Sequence, residues 1–269
     1  MEKNSWNVVY PEGLIKYIDL FRKKYFQYDK FDKVVSKYIS DNSKIKCDVI
    51  CSLGSGTGHH EVELSKLGYK VIGLERNKES IEIAQKHIDE NKANVTLYKC
   101  DFLIKEDLDK IMNEIGQVDA VVLLLIPISV QDYKKIIQNM YKWLKTGGMF
   151  LVDNFGYAEE IDTNKLITTS DAEVVEDIDG KHVVRINYYE FKDNIAEWDA
   201  IYFYNDEKGQ LQMSRDHDVL DIIPEIKGGD PLNLDIGKYR VLPSYRIVEC
   251  EDCICPPYLY EYLLGWVKK

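Results

Sequence analysis

The sequence predicts an α/β fold: a doubly wound, mostly parallel seven-stranded sheet with an antiparallel β-sheet inserted after its fifth strand. Three observations predict it. From Val49 to Val152 short apolar runs alternate with amphipathic segments, the rhythm of parallel strands joined by helical crossovers. A glycine-rich turn, Gly54-Ser55-Gly56-Thr57-Gly58, stands directly between the first apolar run and the amphipathic segment that follows it. After Asn154 strand-like segments succeed one another with no helical period between them.

Residues 1–46 read as helical, because Leu14, Tyr17, Ile18, Phe21 and then Phe31, Val34, Val35, Tyr38, Ile39 recur at helical spacing. Strand one covers 49–53, and the amphipathic segment after the glycines stops at Gly68. Strand two is 69–75. Asn77 is placed to cap the next helix, whose apolar side is Ile81, Ala84 and Ile88. A strand at 95–99 and a helix at 106–115 follow. Residues 120–126 are apolar throughout, as a central strand covered on both faces requires. Ser129-x-x-Asp132 resembles a capping box opening a helix that ends at Gly147-Gly148, and strand five is 149–152.

In the insertion, Asp179-Gly180 predicts a two-residue hairpin turn between strands at 172–178 and 181–191. Two more strands, 195–205 and 211–217, follow. A short helix around 219–226 and a closing pair of strands near 245–250 and 258–267 return the chain to the main sheet.

Composition narrows the function. The chain has 269 residues, 45% hydrophobic and 30% charged, enough for one core with an insertion and without disorder bias. A net charge of -11 argues against a nucleic-acid partner, which needs clustered Lys and Arg. No uncharged run reaches the roughly 20 residues of a membrane span, and the first residues lack a signal-peptide core. The 6 cysteines are scattered, not a disulfide scaffold, so a cytoplasmic protein is expected. Cys250, Cys253 and Cys255 lack a fourth ligand nearby, so no metal site is expected there.

The glycine turn is the central signal, since glycine lets backbone approach a ligand closely. A dinucleotide loop, G-x-G-x-x-G, would need glycine where His59 or Glu61 stands, which weakens a nicotinamide-dependent oxidoreductase as the alternative. Glu75 closes strand two about 20 residues beyond the loop, where nucleoside-binding α/β folds place an acid for the ribose. Asp101 follows strand three.

G-x-G-x-G with Glu75 and Asp101 resembles class I S-adenosylmethionine-dependent methyltransferases, over about residues 47–153. The resemblance implies a Rossmann-like core and S-adenosylmethionine as cofactor, with S-adenosylhomocysteine as product. It implies cofactor binding by Leu53, Gly54, Ser55, Gly56, Gly58, Glu75, Arg76, Asp101, Phe102 and Leu125. Glu75 would accept from the ribose hydroxyls and Asp101 from the adenine amino group, with Phe102 on the ring. Gly58-His59-His60, residues 67–75 and the insertion are most similar to the sugar N- and glycine-type N-methyltransferases, where such a sheet forms a lid.

The expected organisation is therefore a helical cap at 1–46, from which Tyr25 or Tyr28 is expected to touch the methionine end of the cofactor, a cofactor-binding core at 47–154, a lid at 165–218 and a return to the core sheet at 219–269. The expected acceptor is a small molecule, an amine being one option. Strand four ends Leu124-Leu125-Ile126-Pro127-Ile128, without the motif of base-amino methyltransferases and without the paired acids of an aminopropyl transferase. His217, between Asp216 and Asp218, is the candidate general base. Among the lid aromatics, Tyr188, Tyr189, Trp198, Tyr202 and Tyr204, one or two are expected at the acceptor pocket. A non-catalytic module that binds S-adenosylmethionine is the other alternative. Neither the acceptor nor the oligomeric state is fixed by the sequence.

Overall fold

The structure is a computed structural model that describes residues 13–126, 129–157, 166–177, 179–193, 195–206, 208–222, 239–242, 245–246 and 259–269. Helices α1 (Ile15–Tyr25) and α2 (Tyr28–Asn42) precede β1 (Val49–Leu53), α3 (His59–Lys66), β2 (Lys70–Glu75), α4 (Lys78–Asn91) and β3 (Val95–Lys99). Then come α5 (Lys105–Ile115), β4 (Val118–Leu123), α6 (Val130–Met140) and β5 (Leu144–Tyr157). Both anticipated caps form: Asn77 Oδ1 accepts from Ser80 N, and Ser129 Oγ from Asp132 N.

Strands β1 to β5 pair in parallel, in the order β5-β4-β1-β2-β3. Alternate residues of each strand serve opposite faces. Ile50, Val71, Val122 and Leu151 meet Phe31, Val35 and Ile39 of α2, whereas Cys51, Ile72, Val121 and Phe150 meet Leu108 of α5 and Tyr133, Ile136 and Met140 of α6. Every residue of β4 is buried, which is why its sequence shows no alternation. Its one charge, Asp119, accepts from the backbone N–H groups of Asp48 and Val49 and pairs with Lys145 at 2.7 Å.

The strand count departs from expectation. Among the described residues the main sheet has eight strands, not seven: β10 (Tyr239–Val241) and β11 (Tyr245–Arg246) both lie antiparallel to β12 (Leu259–Lys268), which is itself antiparallel to β5. The two short strands share one edge of β12, so eight strands occupy seven positions.

The insertion is a separate antiparallel sheet in the order β6 (Ile167–Glu176), β7 (His182–Lys192), β8 (Ile195–Asn205) and β9 (Leu211–Asp221). Its first hairpin is not the two-residue turn expected. Asp177 N donates to Lys181 O, so the ladder closes one residue before the Asp179-Gly180 pair, with Gly180 at a φ of 74°. The Asp177 carboxylate accepts from the N–H groups of Asp179 and Lys181, which stabilises the longer loop. Asp206 and Gly209 repeat that arrangement between β8 and β9. A second correction concerns 219–221, expected to open a helix: they continue β9, paired with β8. Residues 223–226 of that expected helix, and Cys250, Cys253 and Cys255, lie outside the described residues.

The inner face of this sheet packs on α1. Tyr17, Ile18 and Phe21 meet Val175, Val183, Ala200 and Tyr202. Lys24 Nζ and Tyr25 Oη both donate to Val174 O, tying the end of α1 to β6. Among the described residues no helix is long and apolar enough to cross a membrane.

Candidate functional site

The glycine turn is held from below by the neighbouring strand. Leu74 O accepts from both Gly54 N and Ser55 N, at 2.7 and 3.1 Å. Gly54 and Gly58 have φ of 71° and 85°, a region that L side chains rarely adopt. A Cβ on Gly58 would lie 2.9 Å from Ala84 Cβ and 3.1 Å from Ala84 Cα, so this glycine lets α3 and α4 approach.

Glu75 binds the turn as well as closing β2. Its Oε2 accepts from Gly56 N at 2.9 Å, and its Oε1 from Arg76 N at 2.8 Å and Asn77 N at 2.7 Å. A carboxylate has about four acceptor positions, so capacity remains for a hydroxyl arriving in the cleft. Asp101 is oriented by Leu103 N on Oδ1 at 3.1 Å and by Arg76 Nη1 on Oδ2 at 3.4 Å. At the end of β4, Leu125 adopts φ of 53°, held there by its N–H donating to the Asp153 carboxylate at 2.9 Å. Left-handed backbone costs a non-glycine residue roughly 1–2 kcal/mol, and Asp153 offsets that.

One cleft gathers nine of the ten expected cofactor residues: Gly54, Ser55, Gly56, Gly58, Glu75, Arg76, Asp101, Phe102 and Leu125. Leu53 is the exception. It is fully buried in the core under the turn, where β1 packs between β2 and β4.

The cleft also has walls beyond these residues. Helix α1 contributes Ile15, Ile18 and Arg22, Tyr28 enters from the start of α2, and His59 and His60 from α3. Thr57, within the glycine turn, lines it too. Tyr28 of the expected pair Tyr25 and Tyr28 is thus in the cleft, whereas Tyr25 binds β6.

His217 is not placed as expected. It lies within β9, and strand alternation sends it to the outer face, where Nδ1 is 2.9 Å from Asp199 Oδ1. Asp216 and Asp218 take the inner face and are buried, and among the described residues Asp218 carries the lid into the cleft. Burial raises both carboxyls above the ordinary range; each also feels Arg22, which opposes the shift. Asp216 adds to the rise at Asp218 by repulsion between like charges. Asp216 Oδ1 has no hydrogen-bond partner among the described residues. The lid aromatics are structural: Tyr202 and Tyr204 pack on α1, Tyr189 stacks with Trp198, and Tyr188 is exposed on the outer face.

Residues 44–208 match the family described as the methyltransferase domain. The chain belongs to that family. Among curated relatives, the carboxy-S-adenosyl-L-methionine synthase of Idiomarina loihiensis is 32% identical over 127 residues, 45% of this chain and 48% of that protein. The ubiquinone biosynthesis O-methyltransferase of Coxiella burnetii is 24% identical over 148 residues, 55% of either protein. The chain thus spans about half the length of these relatives. Two solved structures share the fold over nearly the whole chain. A sugar N-methyltransferase of Streptoalloteichus has a TM-score of 0.68 at 15% identity, covering 94% of this chain and 93% of its own. An S-adenosylmethionine-dependent methyltransferase of Clostridium acetobutylicum has a TM-score of 0.67 at 14% identity, covering 94% and 98%.

In the methyltransferase-domain cleft, the residues that sequence reading missed share a cause. Arg22 reaches it only because the helical cap packs across the strand ends, a tertiary fact. Asp218 had a signal, its alternation with His217, but alternation alone does not say which side faces in.

Proposed function

We propose that this methyltransferase-domain protein binds S-adenosylmethionine in the cleft and transfers its methyl group to the neutral amine of a small molecule, releasing S-adenosylhomocysteine. The observation that carries the proposal is one cleft lined by two chemistries: the glycine turn with Glu75 and Asp101, and the buried acid Asp218 of the lid. The first suits a nucleoside with a methionine tail, Glu75 taking a ribose hydroxyl, Asp101 the adenine amino group and Phe102 the ring. Arg22, beside Gly56, is suited to the methionine carboxylate.

The sulfonium already makes the methyl group electrophilic, so the chain has to orient the acceptor and exclude water. The amine lone pair forms the N–CH₃ bond while the S–CH₃ electron pair returns to sulfur. The surplus proton on nitrogen passes to the Asp218 carboxylate, whose raised affinity for protons matches that task. A sugar N-methyltransferase among the proteins of like fold supports an amine acceptor. Segment 165–218 is the part we assign to acceptor selection, and the cytoplasm the compartment where the reaction runs. Neither nucleic acid nor membrane is a proposed partner, in keeping with the -11 charge.

Calorimetry with S-adenosylmethionine and S-adenosylhomocysteine tests the first half, and release of S-adenosylhomocysteine across a panel of small amines tests the second. Heat from neither ligand, alongside saturable NAD binding, would return the cleft to the oxidoreductase reading. Tight binding with no turnover on any acceptor would leave a binding module.

A further inference from the structure

Beside the cleft, three side chains from three helices converge on one point. Asp19 of α1, His59 of α3 and His87 of α4 each offer one ligand atom, and these atoms all lie within 4.8 Å of one another. His59 Nε2 is 2.8 Å from Asp19 Oδ1, and His87 Nε2 is 3.7 Å from Asp19 Oδ2. The two imidazole rings stand 4.5 Å apart.

The hydrogen-bond inventory makes this convergence chemically informative. His87 Nδ1 lies 2.8 Å from Thr57 O, and a carbonyl only accepts, so the proton of a neutral His87 is on Nδ1. Its Nε2 then presents a bare lone pair towards a carboxylate oxygen that also only accepts. Two facing lone pairs at that separation repel unless a positive charge lies between them. His59 Nε2 lies at the same point, so a cation placed there meets three donor atoms, whereas a proton bridges only two. A metal cation satisfies all three atoms at once.

We propose that Asp19, His59 and His87 form a binding site for a divalent transition-metal ion, zinc or one of its neighbours, that clamps helix α1 to the glycine turn. Two imidazole nitrogens and one carboxylate oxygen form a donor set suited to zinc, iron, nickel or cobalt, and not to magnesium or calcium, which take oxygen. The outer contacts match such a site. A metal-bound histidine usually donates its other ring N–H to a carbonyl or carboxylate, as His87 does to Thr57 O. Tyr28 stacks on His59 at 4.6 Å and fixes its plane. With zinc–nitrogen bonds of about 2.0–2.1 Å, His59 and Asp19 are already close enough, and His87 has a short inward movement to make. The side chains are 10% exposed at Asp19, 16% at His59 and 17% at His87, which leaves a path for the ion and for water as remaining ligand. Because Thr57 and His59 belong to the cleft wall, the ion would couple the helical cap to the cofactor turn.

The test uses the full chain, stripped of metal with a chelator and titrated separately with Co²⁺, Zn²⁺ and Mg²⁺, without any cofactor, so that its outcome is independent of methyl transfer. Calorimetry and the visible spectrum of cobalt are the readouts. The expected result is one equivalent of Co²⁺ or Zn²⁺, a higher melting temperature with either, no heat with Mg²⁺, and a cobalt spectrum lacking a thiolate charge-transfer band. His87→Ala and Asp19→Asn should each weaken uptake by more than about a hundredfold, beyond the roughly 10–100-fold typical of outer-contact changes. No uptake by the folded wild type overturns the proposal. So does undiminished uptake by both variants, or thiolate ligation in the cobalt spectrum, which would move the ion to the cysteines. Should Asp19→Asn unfold, His87→Ala decides alone.

Discussion

The glycine turn and the lid both line one cleft, yet they are built on different principles. At the turn side chain and backbone are locked together: Glu75 is held by three N–H groups, and Gly54 and Ser55 hang from Leu74 O. At the lid the backbone is an ordinary antiparallel ladder, and what matters is which side chains fall on its inner face. A site locked in this way has little freedom to change its ligand. A site made from alternate strand residues can be re-specified one side chain at a time. The difference teaches where cofactor and acceptor specificity separate in this molecule.

That division can be broken by substitution. The largest effect is expected from Asp218→Asn, which removes the proton acceptor while keeping shape: kcat/KM should fall by about 10³, within the range for general-base loss, with cofactor affinity changed less than about tenfold. The wild-type profile should rise with pH as Asp218 ionises, on a limb displaced above the ordinary carboxylate range, and the variant should lose that limb. A matching loss of cofactor affinity in steady-state and calorimetric assays would mean that the two halves are not separate.

Glu75→Ala is the mirror experiment. It strips the acceptor from Gly56, Arg76 and Asn77 N–H groups as well as from the ligand, so cofactor binding should weaken by roughly a hundredfold, about 2.7 kcal/mol. Unchanged calorimetric affinity in a folded variant would show that the turn does not need its carboxylate.

A smaller effect sharpens the boundary beneath the turn. Glu61 is fully buried, and burial pushes its carboxyl up to about 7, with Asp32 adding to the rise against His60 and Ser52. The folded state therefore prefers the protonated form. Stability from this group is complete below the unfolded value near 4.5 and is lost as pH rises through about 7. Glu61→Gln should accordingly raise the melting temperature at pH 8, by about 2 kcal/mol of stability, and leave it nearly unchanged at pH 4. An equal gain at both pH values would show that the carboxylate finds a partner when charged. The smallest effect belongs to His217→Ala: on the outer face with Asp199, it should alter kcat/KM by less than about twofold. A large drop there would restore the histidine as base and remove Asp218 from that role.

Legibility in the sequence follows the same line. The parallel core was readable because each element announces itself locally, in apolar runs, in the caps Asn77 and Ser129, and in glycines with the acids Glu75 and Asp101 at strand ends. Leu53 was read into the site because it adjoins the turn, whereas strand geometry points it into the core. The lid strands were readable from alternation, but alternation is symmetric between faces until packing on α1 breaks the symmetry, hence His217 instead of Asp218. The hairpin at Asp179-Gly180 was misjudged by one residue because Asp177 organises the loop with its own side chain. Arg22 had no local signal, since helix periodicity identifies a buried side and not what the rim overhangs.

The divided strand β10 and β11 has a consequence outside catalysis. A long open strand at the rim of a sheet offers unpaired N–H and C=O groups to any other chain, an invitation to intermolecular pairing and aggregation. Among the described residues that rim of the main sheet is two short pieces of three and two residues, which shortens the template a stranger could extend. The lid has no such break along β9, an edge strand of 11 residues carrying the exposed Leu211 and Met213. The β9 edge is therefore a better template for a stray strand than the β10 and β11 rim.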